Sequence, residues 1–228
     1  MQQKVNVKTA KGRRVSSTKW LYRHINDQYV MLASEQGYRS RAAFKLIEIN
    51  DKFKIIPSTN ECAIIDLGCA PGSWLQVFSK KLQKRPNCKI IGVDLKEISV
   101  DDIPNITTIC GDFTEHETID KLQLAIDGKD VKLVVSDMAA NSCGNRQTDH
   151  MKITTLAHEV LDFIEITCLK GSNAVIKVIQ GNMSQELNKR AKDIFAKVYW
   201  YKPKASYSDS AEIYLVMLNL KYCINALE

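Results

Sequence analysis

A doubly wound, mainly parallel α/β sheet covered on both faces is the fold class that this 228-residue sequence predicts. Two observations predict it. From about residue 62 onward, short apolar runs alternate with segments of helical period and ordinary helix length. No internal repeat, low-complexity tract or Pro/Gly-rich linker interrupts that alternation, so one domain over residues 1–228 is the economical reading.

The elements follow in order. Trp20–Ala33 reads as one helix, because Leu21, Ile25, Tyr29 and Leu32 fall on one stripe. Ser40 opens a second helix reaching about Phe53, with Phe44, Ile47 and Lys45 as the candidates to point inward and Pro57 closing the segment. Cys62–Leu67 is a strand and Trp74–Leu82 a helix; Lys89–Leu95 and Ile106–Cys110 are the next two strands. Thr114 with Glu117 is a capping-box start for a helix to about Ile126. Lys132–Asp137 is a fourth strand, and a long helix from about Thr148 to Leu169 stops at Gly171. Ala174–Ile179 is a strand, Gln185–Phe195 a helix, and Lys197–Tyr201 and Ile213–Leu220 are the last strands. Residues 1–55 form a basic arm and helical layer ahead of the sheet.

Composition limits the possible functions. Hydrophobic residues at 45% and charged residues at 25% describe a globular chain, and no run of 18 apolar residues exists to span a membrane. The seven cysteines show no Cys-x-x-Cys spacing, which suits small buried hydrophobes in a reducing, cytoplasmic setting. His158-Glu159 starts like a zinc-protease helix, but Asp162 stands where the second histidine belongs, so no metal site is expected. Formal net charge is +6, and Lys4, Lys8, Lys11, Arg13, Arg14, Lys19 and Arg23 all precede the first acid, Asp27. Such a block serves as a nucleic-acid arm, a solvated tail or a targeting peptide, and the last is weakest because there is no apolar signal core.

The first strand runs into Asp66-Leu67-Gly68-Cys69-Ala70-Pro71-Gly72-Ser73-Trp74. Gly68 and Gly72 let backbone turn sharply and approach a ligand closely. Asp94 ends the second strand, 22 residues after Gly72, where a carboxylate can accept both hydroxyls of an adenosine ribose. The loop lacks Gly-x-Gly-x-x-Gly and carries Pro71, which argues against a dinucleotide and a nicotinamide-dependent oxidoreductase; it also lacks the Gly-Lys-Ser/Thr of a triphosphate loop. A phosphate-free cofactor such as S-adenosylmethionine needs only the close approach and the ribose carboxylate. Asp112 and Phe113 follow the third strand at the adenine edge, Asp137 follows the fourth at the cationic methionine end, and Trp74 is a wall or a core residue.

Four charges sit where apolar patterning would not place them: Lys45 in the second helix, Asp137, Lys177 inside Ala174–Ile179, and Glu212 at the start of the last strand. Buried charges need partners, so these four are read as converging, either in a catalytic site or in a structural salt-bridge cluster.

Five ordered motifs carry a resemblance: Tyr38-Arg39-Ser40-Arg41-Ala42-Ala43-Phe44-Lys45-Leu46, Asp66–Trp74, Ser136-Asp137-Met138-Ala139, Lys177-Val178-Ile179-Gln180-Gly181, and Lys202-Pro203-Lys204-Ala205-Ser206 up to Glu212. From Ser16 to Leu220 the chain resembles the FtsJ/RrmJ family of ribosomal RNA large-subunit methyltransferases. The resemblance implies a seven-stranded, Rossmann-like S-adenosylmethionine-dependent fold with an antiparallel last strand. It also implies 2′-O-methylation of a uridine ribose in 23S ribosomal RNA and a catalytic set at Lys45, Asp137, Lys177 and Glu212. Transfer RNA, mitochondrial ribosomal RNA and a non-catalytic assembly factor are the rival readings. The resemblance further favours a monomer meeting its RNA within the large ribosomal subunit. Four positions depart from the family pattern: Cys69 and Ser73 in the loop, Ala140 in place of a proline, and Tyr207 where an arginine is common.

The chemistry expected is an in-line displacement in which positioning dominates. Lys177 is expected to meet the hydroxyl, as a neutral base or as an orienting ammonium, with Asp137 steering it. Arg39, Arg41 and Lys204 are expected to join the arm on RNA phosphates, and Trp20, Tyr22 and Tyr38 either stack on bases or pack in the core. Deleting residues 1–15 is therefore expected to weaken RNA binding and flatten its salt dependence; a salt slope equal to that of the full chain would contradict the arm.

Overall fold

Cys62–Leu67 is apolar at every position except Asp66, so this strand needs cover on both faces. The computed structural model, which describes residues 15–139, 144–181 and 184–222, provides it. Three helices come first: α1 (Val15–Ile25), α2 (Gln28–Glu35) and α3 (Ala42–Phe53). The alternating part runs β1 (Cys62–Leu67), α4 (Ser73–Leu82), β2 (Cys88–Asp94), β3 (Ile106–Cys110), α5 (His116–Ile126), β4 (Val131–Ser136), α6 (Arg146–Thr167), β5 (Asn173–Ile179), α7 (Ser184–Ile194), β6 (Phe195–Tyr201) and β7 (Glu212–Leu220).

The seven strands lie in the order β3-β2-β1-β4-β5-β7-β6. The pairs β1–β2, β1–β4, β2–β3 and β4–β5 are parallel, and β7 runs antiparallel between β5 and β6. Strand order reverses between β1 and β4, and a ligand cleft in such a sheet opens beyond the carboxyl ends of those two strands.

Strand alternation divides the core in two. Ala63, Ile65 and Leu67 of β1 join Ile91, Val134 and Ile176 in packing on α5, α6 and α7. Cys62 and Ile64 join Ile90, Leu133, Val135, Val175, Tyr214 and Val216 in packing on α3 and α4. Of the cysteines that the structure describes, Cys62, Cys69, Cys88 and Cys168 are buried as expected, and burial pushes the Cys62 thiol up to about 12. Cys110 departs from that expectation, being exposed on the edge strand β3.

Three local readings change. The single helix expected over Trp20–Ala33 is two, because Asp27 adopts an extended conformation and its Oδ1 accepts the Tyr29 and Val30 amides at 2.8 and 3.3 Å. That N-cap starts a new helix where periodicity alone continues the old one. The capping box at Thr114 is absent: Glu115 is the N-cap of α5, and the Thr114 hydroxyl donates to Asp112 Oδ1 at 2.8 Å. On α3 the most buried residues are Ala43, Lys45, Leu46, Ile49 and Asn50, whereas Phe44 and Ile47 are only half-buried. Phe44 instead packs beside Tyr29 and Tyr38, with ring centroids 5.6 and 5.8 Å away.

Asp27 also pairs with Arg41, and both side chains are nearly buried. Removing the carboxylate loses a cap and strands a cation. Asp27→Ala is therefore expected to cost about 3 kcal/mol or more in a urea titration. A loss below about 1 kcal/mol would show that Arg41 is satisfied without it.

Candidate active site

The face of the sheet beneath α3 and α4 is apolar along its length and becomes charged at one edge. Period-2 alternation extends Leu133 and Val135 to Asp137, Val175 to Lys177, Val216 and Tyr214 to Glu212, and Ile64 to Asp66. Lys177 lies opposite Tyr214 in the β5–β7 register, so their side chains share that face. Lys45 descends on it from α3, one residue before the core residue Leu46.

The four charges that stood out in the sequence meet. Lys177 Nζ lies 3.0 Å from Asp137 Oδ1 and also donates to the Asp137 backbone carbonyl. Lys45 Nζ lies 2.7 Å from Glu212 Oε1 and 3.9 Å from Asp137 Oδ2. All four side chains are at most 18% exposed, so two lysines compensate two carboxylates in a site that water reaches poorly.

Two further residues complete the arrangement. The Tyr214 hydroxyl, fully buried, donates to Asp137 Oδ1 at 2.6 Å. Burial, then the Asp137 and Glu212 charges, hold its pKa well above the ordinary phenol value, so it stays a donor. The Ser206 hydroxyl donates to Glu212 Oε1 at 2.6 Å. Sequence reasoning missed both. For Tyr214 the signal was available: period 2 puts it on the face of Glu212.

Beside this network lies a small recess lined by Ala42, Asp66, Gly68, Cys69, Ala70, Pro71, Ser73, Trp74 and Asp137. Gly68 and Gly72 have φ of +76° and +100°, the left-handed region that a side chain strains. A Cβ at Gly68 would also collide with the Met138 side chain. Asp66 is buried, and its Oδ2 has no hydrogen-bond partner. Burial, then the charges of Asp137 and Asp94, raise its pKa well above the usual carboxylate range. An orphaned carboxylate oxygen beside Asp137, behind a close-approach glycine turn, fits a ligand with a cationic amine. The methionine end of S-adenosylmethionine carries such an amine.

The remaining residues expected to hold the cofactor are placed unequally. Asp94 ends β2 beside the loop; its Oδ2 accepts the Ala70 amide and its Oδ1 the Lys96 amide, both at 2.9 Å, which leaves lone pairs for ribose hydroxyls. Asp112 is half-buried, and its Oδ1 accepts the Thr114 amide at 3.0 Å. Phe113 packs edge-on against Phe163 with centroids 5.9 Å apart, so its ring belongs to the core. Trp74 is 3% exposed, and its Nε1 donates to the Ala42 carbonyl at 2.7 Å, tying the loop to α3. Among the described residues no cluster of metal-ligating side chains occurs.

The arginines expected on RNA phosphates have partners within the chain. Arg39 pairs with Asp102 and donates to the Pro71 carbonyl at 2.9 Å, bracing the cofactor loop. Arg41 is committed to Asp27 and the Ala205 carbonyl. Both guanidiniums thus have intramolecular partners, and Arg39 is the more exposed of the two. Lys204 is exposed, as a phosphate contact requires. Tyr22 is half-buried in α1 and Tyr38 packs against Phe44, while the side chain of Trp20, the arm up to Arg14 and Ala140 lie outside the described residues.

Comparison with known proteins gives the family and the fold. The family model described as FtsJ-like methyltransferase matches residues 38–220. The chain is 43% identical over 215 residues to the ribosomal RNA large subunit methyltransferase E of Zymomonas mobilis, covering 94% of each chain. It is 41% identical over 220 residues to the protein of that name from Anaplasma phagocytophilum, covering 95% of this chain and 86% of that one. A crystal structure of a ribosomal RNA methyltransferase from Plasmodium falciparum superposes with a TM-score of 0.70 at 32% identity, over 80% of this chain and 98% of that one. A class I S-adenosylmethionine-dependent methyltransferase from Listeria monocytogenes shares the fold, with a TM-score of 0.50 at 11% identity over 79% and 60% of the two chains.

Asp66 gives this site a pH signature. Its folded pKa is raised, so its contribution to stability is fully present below the unfolded-chain value and is lost as pH rises through the folded one. Asp66→Asn removes that loss. The variant's melting temperature is expected to gain on the wild type as pH rises above about 4, the unfolded-chain carboxylate value; a constant difference would contradict the raised pKa of the buried carboxyl.

Proposed function

The chain belongs to the FtsJ-like methyltransferase family, and on that premise we propose that it methylates a ribose 2′-hydroxyl, at a uridine of large-subunit ribosomal RNA. The observation that carries the reading is the amine of Lys177, held by two oxygens of Asp137, a residue that itself lines the glycine-turn recess. Its relatives are named for the large ribosomal subunit, which supports the substrate; the uridine and the ribose oxygen rest on the motif resemblance.

Gly68, Pro71 and Gly72 would cradle S-adenosylmethionine, Asp94 its ribose, Asp112 with the Phe113 backbone its adenine edge, and Asp66 with Asp137 its amine. When bound, it supplies a methyl group on a sulfonium. The chain's own work is to bring the hydroxyl into line and manage its proton. With one N–H given to the Asp137 backbone carbonyl and its charge paired with the Asp137 carboxylate, Lys177 would keep a tetrahedral position for the hydroxyl. In the neutral amine that position is a lone pair that accepts the proton; in the ammonium it is an N–H that turns an oxygen lone pair toward the methyl group. Tyr214 and Lys45 fix the carboxylate that aims Lys177, and Glu212 neutralises Lys45. The protein would act as a monomer in the cytoplasm, a reading that rests on the motif resemblance and on seven cysteines without a pairing pattern.

Incubation with labelled S-adenosylmethionine and large ribosomal subunits is expected to yield one mapped 2′-O-methyl group. Lys177→Ala is expected to lower that rate by about 10²-fold or more with cofactor affinity held within about twofold. Base methylation, or full turnover in the variant, would overturn the reading. In the wild type, a rate rising with pH to a plateau identifies the lone pair, and a rate falling with pH identifies the ammonium.

A further inference from the structure

Tyr207 lies in the β6–β7 connection, between Ser206 and Asp209, at the position where an arginine is common in the family that the chain resembles. The Cζ atoms of Arg23 and Arg41 each lie 3.6 Å from its ring centroid. Two guanidiniums cannot share one face of a ring at that distance, so they sandwich it. An aromatic ring presents a negative face on each side and attracts both cations, whereas an arginine there would be a third cation among like charges.

Each cation also holds the connection by a second contact. Arg23, on α1, pairs with Asp209 through two hydrogen bonds, one of them 2.9 Å long between Nη1 and Oδ2. Arg41, beside α3, donates to the Ala205 carbonyl and pairs with Asp27. Glu48 of α3 accepts the Lys204 and Ala205 amides at 2.6 and 2.9 Å. The next residue is Ser206, whose hydroxyl reaches Glu212 Oε1 at 2.6 Å, the oxygen that lies 2.7 Å from Lys45 Nζ. The contacts run without a gap from the ring to the charged site.

We propose that Tyr207 is a positioning residue for methyl transfer: clamped between Arg23 and Arg41, its ring fixes the β6–β7 connection on α1 and α3 and thereby holds Ser206 on Glu212 and Glu212 on Lys45. The proposal rests on the assignment of Lys45 and Glu212 to the methyl-transfer site. Neither residue lines the cofactor recess, so the effect belongs in turnover rather than in cofactor binding.

The test is steady-state kinetics of the full chain with S-adenosylmethionine and large ribosomal subunits. Tyr207→Ala is expected to lower kcat by about ten- to a hundredfold, as displacement of a positioned group does, with KM for the cofactor and for RNA within about twofold. Tyr207→Phe keeps the ring and is expected to retain at least about half of wild-type kcat. Arg23→Gln, a change at the surface that removes one half of the sandwich, is expected to lower kcat in the same direction even should Tyr207→Ala fold poorly. A raised KM for RNA at unchanged kcat would make Tyr207 an RNA contact and overturn the proposal, as would equal losses in the Phe and Ala variants or unchanged kcat in Arg23→Gln. Full turnover in Tyr207→Ala alongside an impaired Glu212→Gln would overturn the clamp alone. Full turnover in Glu212→Gln would overturn the site assignment and the clamp with it.

Discussion

One carboxylate, that of Asp137, is the acceptor on which the site depends. It takes Lys177 at 3.0 Å and the Tyr214 hydroxyl at 2.6 Å on the same oxygen, and Lys45 stands 3.9 Å from the other. Two cations and one hydroxyl donor from three elements converge on it, and its own backbone carbonyl accepts a hydrogen bond from Lys177. In a site this poorly hydrated, each lysine left alone would be a buried charge, and breaking such a pair from one side costs on the order of 3–5 kcal/mol. The four charges hold each other in place because each is needed to neutralise another.

The fold produces this convergence by a simple rule. The residues beneath α3 and α4 are apolar until the strands reach their carboxyl ends, and there the same alternating positions become Asp66, Asp137 and Lys177. β7 enters antiparallel, so it is its first residues, Glu212 and Tyr214, that arrive at this edge. The edge over β1 and β4 is where strand order reverses and where a doubly wound sheet leaves room for a ligand. The helical layer is fastened to that edge through side-chain contacts: Trp74 to Ala42, Ser40 to Ser73 at 2.7 Å, and Arg39 to Pro71. These attachments set where Lys45 comes down.

Much of this was legible in the sequence, and the reasons are local. Lys177 inside an apolar strand and Asp137 at the end of another conflict with their surroundings, so residue type and position alone signal that each has a partner. Alternation of strands and helices set the sheet class, and the loop after β1 announced the close approach through Gly68 and Gly72. What escaped was non-local or disguised. Arg41 sits in a basic motif and looks available for phosphate, yet its acceptor Ala205 is 164 residues away. Tyr214 is an ordinary strand residue by composition, and only its pairing opposite Lys177 makes it part of the site. Asp27 and Thr114 were misjudged for one reason: side-chain hydrogen bonds to nearby backbone or carboxylate decide where a helix starts, and periodicity does not see them.

The central claim is that the charge of Asp137, not merely its shape, organises the transfer. Asp137→Asn keeps the volume and removes the charge from between the two lysines. Single-turnover methyl transfer to ribosomal RNA at saturating S-adenosylmethionine is the direct measurement. The account predicts a rate at least about 10²-fold below wild type in a variant that remains folded. A rate within about twofold of wild type would contradict it.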